Sequence, residues 1–472
     1  MATRAAKAIN IAVLGAGTVG SQVIRLIQER REDLQRRSGV LWNLTAVLVR
    51  DLDAERDYDV PANLLTTDIA EALVNADVVV ELIGGIEPAF DYVKRALKAG
   101  ACVVTGNKAL LAKHGPELFA LAAANQVELQ YEAAVAGAVP IVRALRESLA
   151  GDRVNRVLGI VNGTTNFILD RMSTTGATYD ESLQEAQALG YAEADPTADV
   201  DGLDAAAKCA LMASLAFHSR VLIDDVSTEG IRAITPAQIT RAREANMVVK
   251  LLAVAERRTT TSGEEGIDVR VHPALLPAGH PLASVSGAFN AIMLECEAAG
   301  ELMFFGQGAG GVPTASAVLS DLVATAARHG HGQHPPLESH YEQLPVLPPQ
   351  STRVCYQVSL LVNAADAGLS EVVGEFAQHG ISIQRASQKQ VSIQCASQKQ
   401  VPIQCASQNQ VSDAQPAIPH LENAQVQSAE RASVVLITNP ATESDLREAL
   451  DALRSSPTGV QVESVIRVEG VA

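Results

Sequence analysis

Residues 9–20 read INIAVLGAGTVG. Residues 9–14 form a short, mostly apolar run of strand length, and a glycine-rich turn follows at once. An amphipathic stretch, Ser21–Arg37, comes next, so the order is strand, glycine turn, helix. In that setting Gly15-Ala16-Gly17-Thr18-Val19-Gly20 fits G-x-G-x-x-G. Gly15 permits the tight turn, Gly17 lets the main chain approach a pyrophosphate, and Gly20 lets helix and strand pack closely. Thr18 and Val19 open the helix, where amides and partial positive charge favour phosphate. An ordinary glycine-rich turn is the simpler alternative, but the context favours dinucleotide binding by Gly15, Gly17, Thr18, Val19 and Gly20.

Outward from this turn the pattern repeats. LTAVLV (44–49), VVVELI (78–83), ACVVT (101–105) and VELQYEA (127–133) are further strand-length runs with helical segments between them. Alternating strands and helices predict an α/β fold, a Rossmann-type parallel sheet over residues 1–140. Arg50 ends the second run, with Asp51 after it. An acidic residue there usually holds the ribose 2′-hydroxyl of NAD, whereas a guanidinium suits a 2′-phosphate. The arrangement favours NADP, and Asp51 leaves NAD open.

Residues 141–330 read as an α+β domain, with a strand at 154–162, helices at 178–189, 202–217 and 315–330, and strands within 266–310. The segment 331–350 holds five prolines and reads as a linker. The nearby His329, His331, His334 and His340 read as solvated rather than metal-binding. Residues 351–472 read strand, helix, strand, strand, helix, strand, a ferredoxin-like order. A ten-residue repeat starting at 381, 391 and 401 interrupts it. The first copy supplies the second strand, leaving 391–430 as an expected disordered or weakly ordered insertion; the alternative is that the copies compete for the same strand slot.

The chain has 472 residues, 47% hydrophobic and 19% charged. This implies about three domains and excludes global disorder. Its net charge of −17 argues against nucleic acid as the main partner. No apolar run predicts a membrane span and no signal peptide opens the chain. Cys102, Cys209, Cys296, Cys355, Cys395 and Cys405 form no C-x-x-C pair. These features predict a cytoplasmic protein without structural zinc.

The run 189–208, LGYAEADPTADVDGLDAAAK, carries Glu193, Asp195, Asp199, Asp201, Asp204 and Lys208. Asp204 and Lys208 share a helix face. Carboxylates can hold a substrate ammonium, and a lysine near a hydroxyl can move its proton. On spacing alone, a solvated acidic loop followed by an ion pair is the simpler account.

That run, with ELIGGIEPA (81–89), TGNKALLA (105–112), YEAAVAGAVP (131–140), GIVNGTTNFIL (159–169), VHPALLP (271–277) and LMFFGQGAGGVPTASAV (302–318), closely resembles homoserine dehydrogenase over about residues 9–330. The tail resembles the ACT regulatory domain of many bacterial members. The resemblance implies NADP-dependent interconversion of L-homoserine and L-aspartate 4-semialdehyde, in threonine, methionine and isoleucine biosynthesis. It implies that Glu193 and Asp204 bind homoserine, that Lys208 is the proton donor, and that Asp199 supports the site. Lys108 would be catalytic, close to nicotinamide and substrate, with Thr105, Gly190, Gly306 and Gly308 on the cofactor side. Glu132 and the carbonyls of Val135, Gly137 and Val139 match a monovalent-cation site, taken as sodium. Asn162–Asn166 (NGTTN) is given a structural role at the domain junction. Association through residues 141–330 as a homodimer or homotetramer, and a threonine effector, are further expectations. The turn at 365–368 reads ADAG where the ACT pattern has D-x-P-G, which weakens the effector expectation. The rivals are another dehydrogenase of this fold and a catalytically silent amino-acid sensor.

Overall fold

The computed structural model describes residues 7–260, 263–333, 340–363, 368–391, 431–456 and 460–470. The chain divides into two compact units. One runs up to Thr352 and takes in the residues from Val468 on; the other is Arg353–Arg467.

In the first unit, Ala8–Leu14 lies at the centre of a parallel sheet. Its order is Leu65–Thr66, Leu41–Leu48, Ala8–Leu14, Val78–Glu81, Cys102–Thr105, Leu129–Gln130. Val78, Val79 and Val80 are fully buried, as strands covered on both faces require. Strand order reverses between Ala8–Leu14 and Val78–Glu81, which opens a crevice beyond their C-terminal ends. The helix expected over 21–37 is two helices, Thr18–Glu29 and Arg31–Ser38, broken at Arg30. VELQYEA is strand only at Leu129–Gln130, because the helix Glu132–Ala136 starts within it.

The same unit holds an antiparallel sheet in the order Gly300–Gln307, Phe289–Cys296, Val154–Ile160, Met247–Thr259, Glu265–Pro277. The helix Leu203–Ala216, LDAAAKCALMASLA, is buried at every residue but Leu203. Small side chains let it pack all round, so its two charged residues, Asp204 and Lys208, must find partners inside.

The linker reading of 331–350 needs correction. His329 and His331 lie in the helix Gly311–His331, and His329 Nε2 is 3.4 Å from Asp77 Oδ1. Tyr341 stacks on His218 with ring centroids 4.5 Å apart, and Glu342 pairs with Arg257 at 3.0 Å. The amide of Leu347 donates to Ile267 O at 2.7 Å, while Ile267 N donates to Pro345 O at 2.9 Å. Proline makes this stretch non-helical without freeing it, since its neighbours still bond to the edge of Glu265–Pro277. His334 lies outside the described residues.

The second unit is βαββαβ, with sheet order Gln461–Val468, Arg353–Asn363, Arg431–Thr438, Ile383–Val391. Helices Gly368–Gln378 and Glu443–Ser455 bring Phe376 and Leu450 onto Val358, Leu360, Val434 and Leu436. The first decapeptide copy forms a strand antiparallel to Arg431–Thr438, with Val391 opposite Arg431. The rest of the expected insertion, 392–430, lies outside the described residues, as do 365–367 of the ADAG turn. Cys102, Cys209, Cys296 and Cys355 are buried thiols. Among the described residues no helix is long and apolar enough to cross a membrane.

Candidate active site

The glycine turn is fitted to a ligand as well as to packing. Gly15 has φ +101°, and a Cβ there would lie 2.7 Å from Leu82 O. A Cβ on Gly20 would lie 2.0 Å from Gly15 O, so neither position accepts a side chain. At Gly17 a Cβ would meet nothing within 4 Å. Gly17 caps the helix Thr18–Glu29 without a side-chain hydrogen bond, so the first helical amides, at Thr18 and Val19, stay open for an anion. Arg50, just past the strand Leu41–Leu48, is exposed and has no hydrogen bond or ion pair among the described residues. Asp51 closes its own loop: Oδ1 accepts from Asp53 N at 2.9 Å, and the Arg56 guanidinium donates to its carbonyl.

Across the crevice a buried carboxylate organises the next two loops. Glu81 Oε1 accepts from Ile83 N at 2.8 Å, and Oε2 accepts from Thr105 Oγ1 at 2.5 Å. Burial pushes the Glu81 carboxyl up, although these hydrogen bonds work the other way. Thr105 Oγ1 also accepts from Asn107 N at 3.0 Å, so its hydroxyl is committed to the scaffold. Asn107 caps the helix Lys108–Ala124 through Leu110 N, and its Nδ2 donates to Gly85 O at 2.6 Å. Lys108 is thereby fixed at the first position of that helix.

Lys108 Nζ pairs with Asp204 Oδ1, and Asp204 Oδ2 pairs with Lys208 Nζ at 2.7 Å. Lys208 Nζ also donates to Val161 O at 2.7 Å. The side chain of Asp204 is 4% exposed and that of Lys208 10%, while that of Lys108 is 46% exposed. Burial pushes the Asp204 carboxyl up, but the Lys208 and Lys108 ammonium groups outweigh it and hold Asp204 well below the usual carboxylate range. Asn162 Nδ2 donates to Asp204 Oδ2 at 3.0 Å and to Asp199 Oδ1 at 2.6 Å. The NGTTN stretch therefore does more than join domains.

The structure brings together Lys108, Asp199, Asp204 and Lys208, and adds Asn162. It does not bring in the rest of the acidic run. Asp195 accepts from Thr197 N at 3.1 Å, and Asp201 pairs with Arg232. Glu193 is exposed, and its carboxylate has no partner among the described residues. Gly190, with φ +75°, ends the turn after helix Tyr179–Ala188. Gly306 and Gly308 lie against the loop after Glu132–Ala136: a Cβ on Gly306 would be 3.3 Å from Val139 Cγ2, and one on Gly137 2.3 Å from Gly308 O.

Glu132 is buried, and its two carboxylate oxygens accept from Val142 N at 2.8 Å and Arg143 N at 2.9 Å. Its own amide donates to Asp321 Oδ2 at 2.8 Å, and Arg143 reaches Asp321 Oδ1 at 2.8 Å. Burial and then the Glu132 charge push the Asp321 carboxyl up to about 7. Arg143 thus meets Glu132 through its main-chain amide and Asp321 through its guanidinium, and Val135, Gly137 and Val139 follow Glu132 in the next turns of the chain. Carboxylate and carbonyl oxygens suit a hard cation.

A model of the NAD-binding domain of homoserine dehydrogenase matches residues 15–132, and a homoserine dehydrogenase model matches residues 140–323. Homoserine dehydrogenase of Mycobacterium tuberculosis is 46% identical over 468 residues, covering 98% of this chain and 98% of that one. The crystal structure of a homoserine dehydrogenase from Thiobacillus denitrificans superposes with TM-score 0.81 at 34% identity, covering 98% of both chains. A hyperthermophilic archaeal homoserine dehydrogenase in complex with NADPH gives TM-score 0.57 at 29% identity, over 70% of this chain and 99% of that one. The chain belongs to the homoserine dehydrogenase family.

Proposed function

We propose that in this enzyme, which interconverts L-homoserine and L-aspartate 4-semialdehyde with a nicotinamide cofactor, Lys208 moves the proton and Lys108 shares the substrate oxygen. The observation that carries this reading is the Lys108–Asp204–Lys208 chain at the mouth of the crevice. An ammonium has three donors. Lys208 spends two, on Val161 O and Asp204 Oδ2, and the third is left for the substrate oxygen. The bound nicotinamide supplies or accepts the hydride at the carbon bearing that oxygen. In reduction a lysine ammonium gives its proton to the developing alkoxide; in oxidation the neutral amine takes it from the hydroxyl. Ionised Asp204 holds both lysines in place throughout. Initial rates with aspartate 4-semialdehyde and NADPH test the assignment, and a folded chain without turnover would return the amino-acid sensor.

The open amides of the glycine turn and the unpaired Arg50 support NADP as the preferred form. Arg50→Ala raises KM for NADPH by about 10–100-fold, the loss of a charge-assisted contact of about 1.5–3 kcal/mol, and leaves KM for NADH unchanged. Equal changes with both cofactors would make Arg50 a surface residue only.

Glu193 takes the substrate ammonium, a role supported by its unpartnered carboxylate. Glu193→Gln therefore raises KM for homoserine by about tenfold or more without weakening NADPH binding. Substrate KM and cofactor titration on one preparation check this, and a loss confined to the cofactor would refute it.

The Glu132, Val135, Gly137 and Val139 oxygens hold sodium and fix the loop beside Gly306 and Gly308. The βαββαβ unit serves as an ACT-type regulatory domain with threonine as effector. Exposed Met303 and Phe305 on the edge strand of the antiparallel sheet, with Phe289 on the strand beside it, support self-association through residues 141–330. Buried thiols fit a cytoplasmic location.

A further inference from the structure

Lys250, on the strand Met247–Thr259, is 2% exposed. Its ammonium donates to Asn166 Oδ1 at 3.0 Å and to Val285 O at 2.5 Å. Neither partner is charged. Asp170, one turn along the same helix as Asn166, spends Oδ2 on Gly287 N at 2.9 Å. Burying an ammonium among neutral oxygens is costly, and burial pushes Lys250 down to about 8. Methionine would fill similar space without that cost, so packing alone gives no reason for a lysine.

The lysine fixes an amide. With Asn166 Oδ1 accepting from the ammonium, Nδ2 is left to donate to the 285–289 loop. There it donates to Val285 O at 3.2 Å, Gly287 O at 2.9 Å and Phe289 O at 3.3 Å. The 285–289 loop is held against the first turn of the helix Gly163–Thr175, where a Cβ on Gly163 would lie 2.6 Å from Ala288 O. The residue before Gly163 is Asn162, which donates to Asp199 and Asp204. The residue before that is Val161, whose carbonyl accepts from Lys208. We propose that Lys250 is a positioning residue for homoserine turnover: through Asn166 and the 285–289 loop it sets the Val161–Asn162 segment that holds Lys208 and Asp204. This rests on reading Asp204 and Lys208 as the substrate site.

The test uses the full chain carrying Lys250→Met or Asn166→Ser. Each variant is expected to lose about tenfold or more in kcat/KM for homoserine, since small misplacements of reacting groups are amplified in rate. NADPH Kd, read by fluorescence titration, stays within about twofold of wild type, because the glycine turn is untouched. Lys250→Gln, which keeps a donor, recovers part of the rate. Unchanged kcat/KM in a folded Lys250→Met protein overturns the inference. So does a parallel rise in homoserine KM and NADPH Kd, which marks a general scaffold effect. If Lys250→Met does not fold, Asn166→Ser decides by the same split, and failure of both to fold assigns the group to the scaffold. An active Lys208→Ala protein would overturn the site reading itself; an inactive one beside a fully active Lys250→Met protein would overturn only the role of Lys250.

Discussion

Lys208→Ala loses about 10²–10⁴-fold in kcat, the usual contribution of a positioned general acid, while NADPH binds as before. The variant removes a buried ammonium that touches both Asp204 and Val161 O, just past the strand Val154–Ile160. Lys108 cannot replace it. It approaches Asp204 from the opposite oxygen, and its half-exposed side chain is free to turn to solvent. Removing the lysine side chain deletes no apolar core residue, so the fold survives. The measurement is single-turnover oxidation of NADPH with aspartate 4-semialdehyde, alongside a cofactor titration. Near-normal kcat in the folded variant would remove Lys208 from proton transfer. Loss of cofactor binding in step with kcat would show a collapsed crevice instead.

Local patterns carried the parts of this site that are local. GAGTVG could be read because strand, turn and helix are contiguous, and Gly20 answers to Gly15 within the same turn. Asp204 and Lys208 could be paired because four residues make one helical turn. The third member, Lys108, lies 96 residues away from Asp204, and no periodicity links them; only the resemblance named it. Asn162 is legible only within NGTTN, which reads as structural at the domain junction, and its cap on Thr165 N at 2.9 Å is indeed such a use; nothing local points to its bonds with Asp199 and Asp204. Glu81 and Lys250 each left a faint signal: one charge inside VVVELI and one inside MVVKLLAVA, runs that are otherwise apolar. A lone charge in a buried strand needs a partner, but sequence does not say which. The proline-rich 331–350 stretch misled for the opposite reason. Proline forbids helix yet permits the extended pairing that Pro345 and Leu347 make with Ile267.

Asp204→Asn produces the second large effect, on rate and stability together. The wild-type carboxylate neutralises two ammonium groups, and its side chain is only 4% exposed. An amide of the same size leaves both lysines beside a neutral group, with Lys208 still buried. Removing one partner of a buried pair costs about 3–5 kcal/mol; the lower end applies here, because Lys108 can swing outward and Val161 O still accepts from Lys208. The sign with pH follows from the depressed carboxyl. Its stabilisation is present above the unfolded value of about 3.9 and is lost only as pH falls through the still lower folded value. The stability gap between wild type and Asp204→Asn is therefore constant across neutral pH and closes in acid. In rate, Asp204 and Lys208 act as a unit, so the double variant Asp204→Asn/Lys208→Ala is no slower than the slower single variant. Urea unfolding at neutral and acidic pH, with kcat for the two single variants and the double, reads both effects. Additive losses in kcat would show that the two side chains act separately, and a stability gap that widens in acid would show that Asp204 is not held ionised by its lysines.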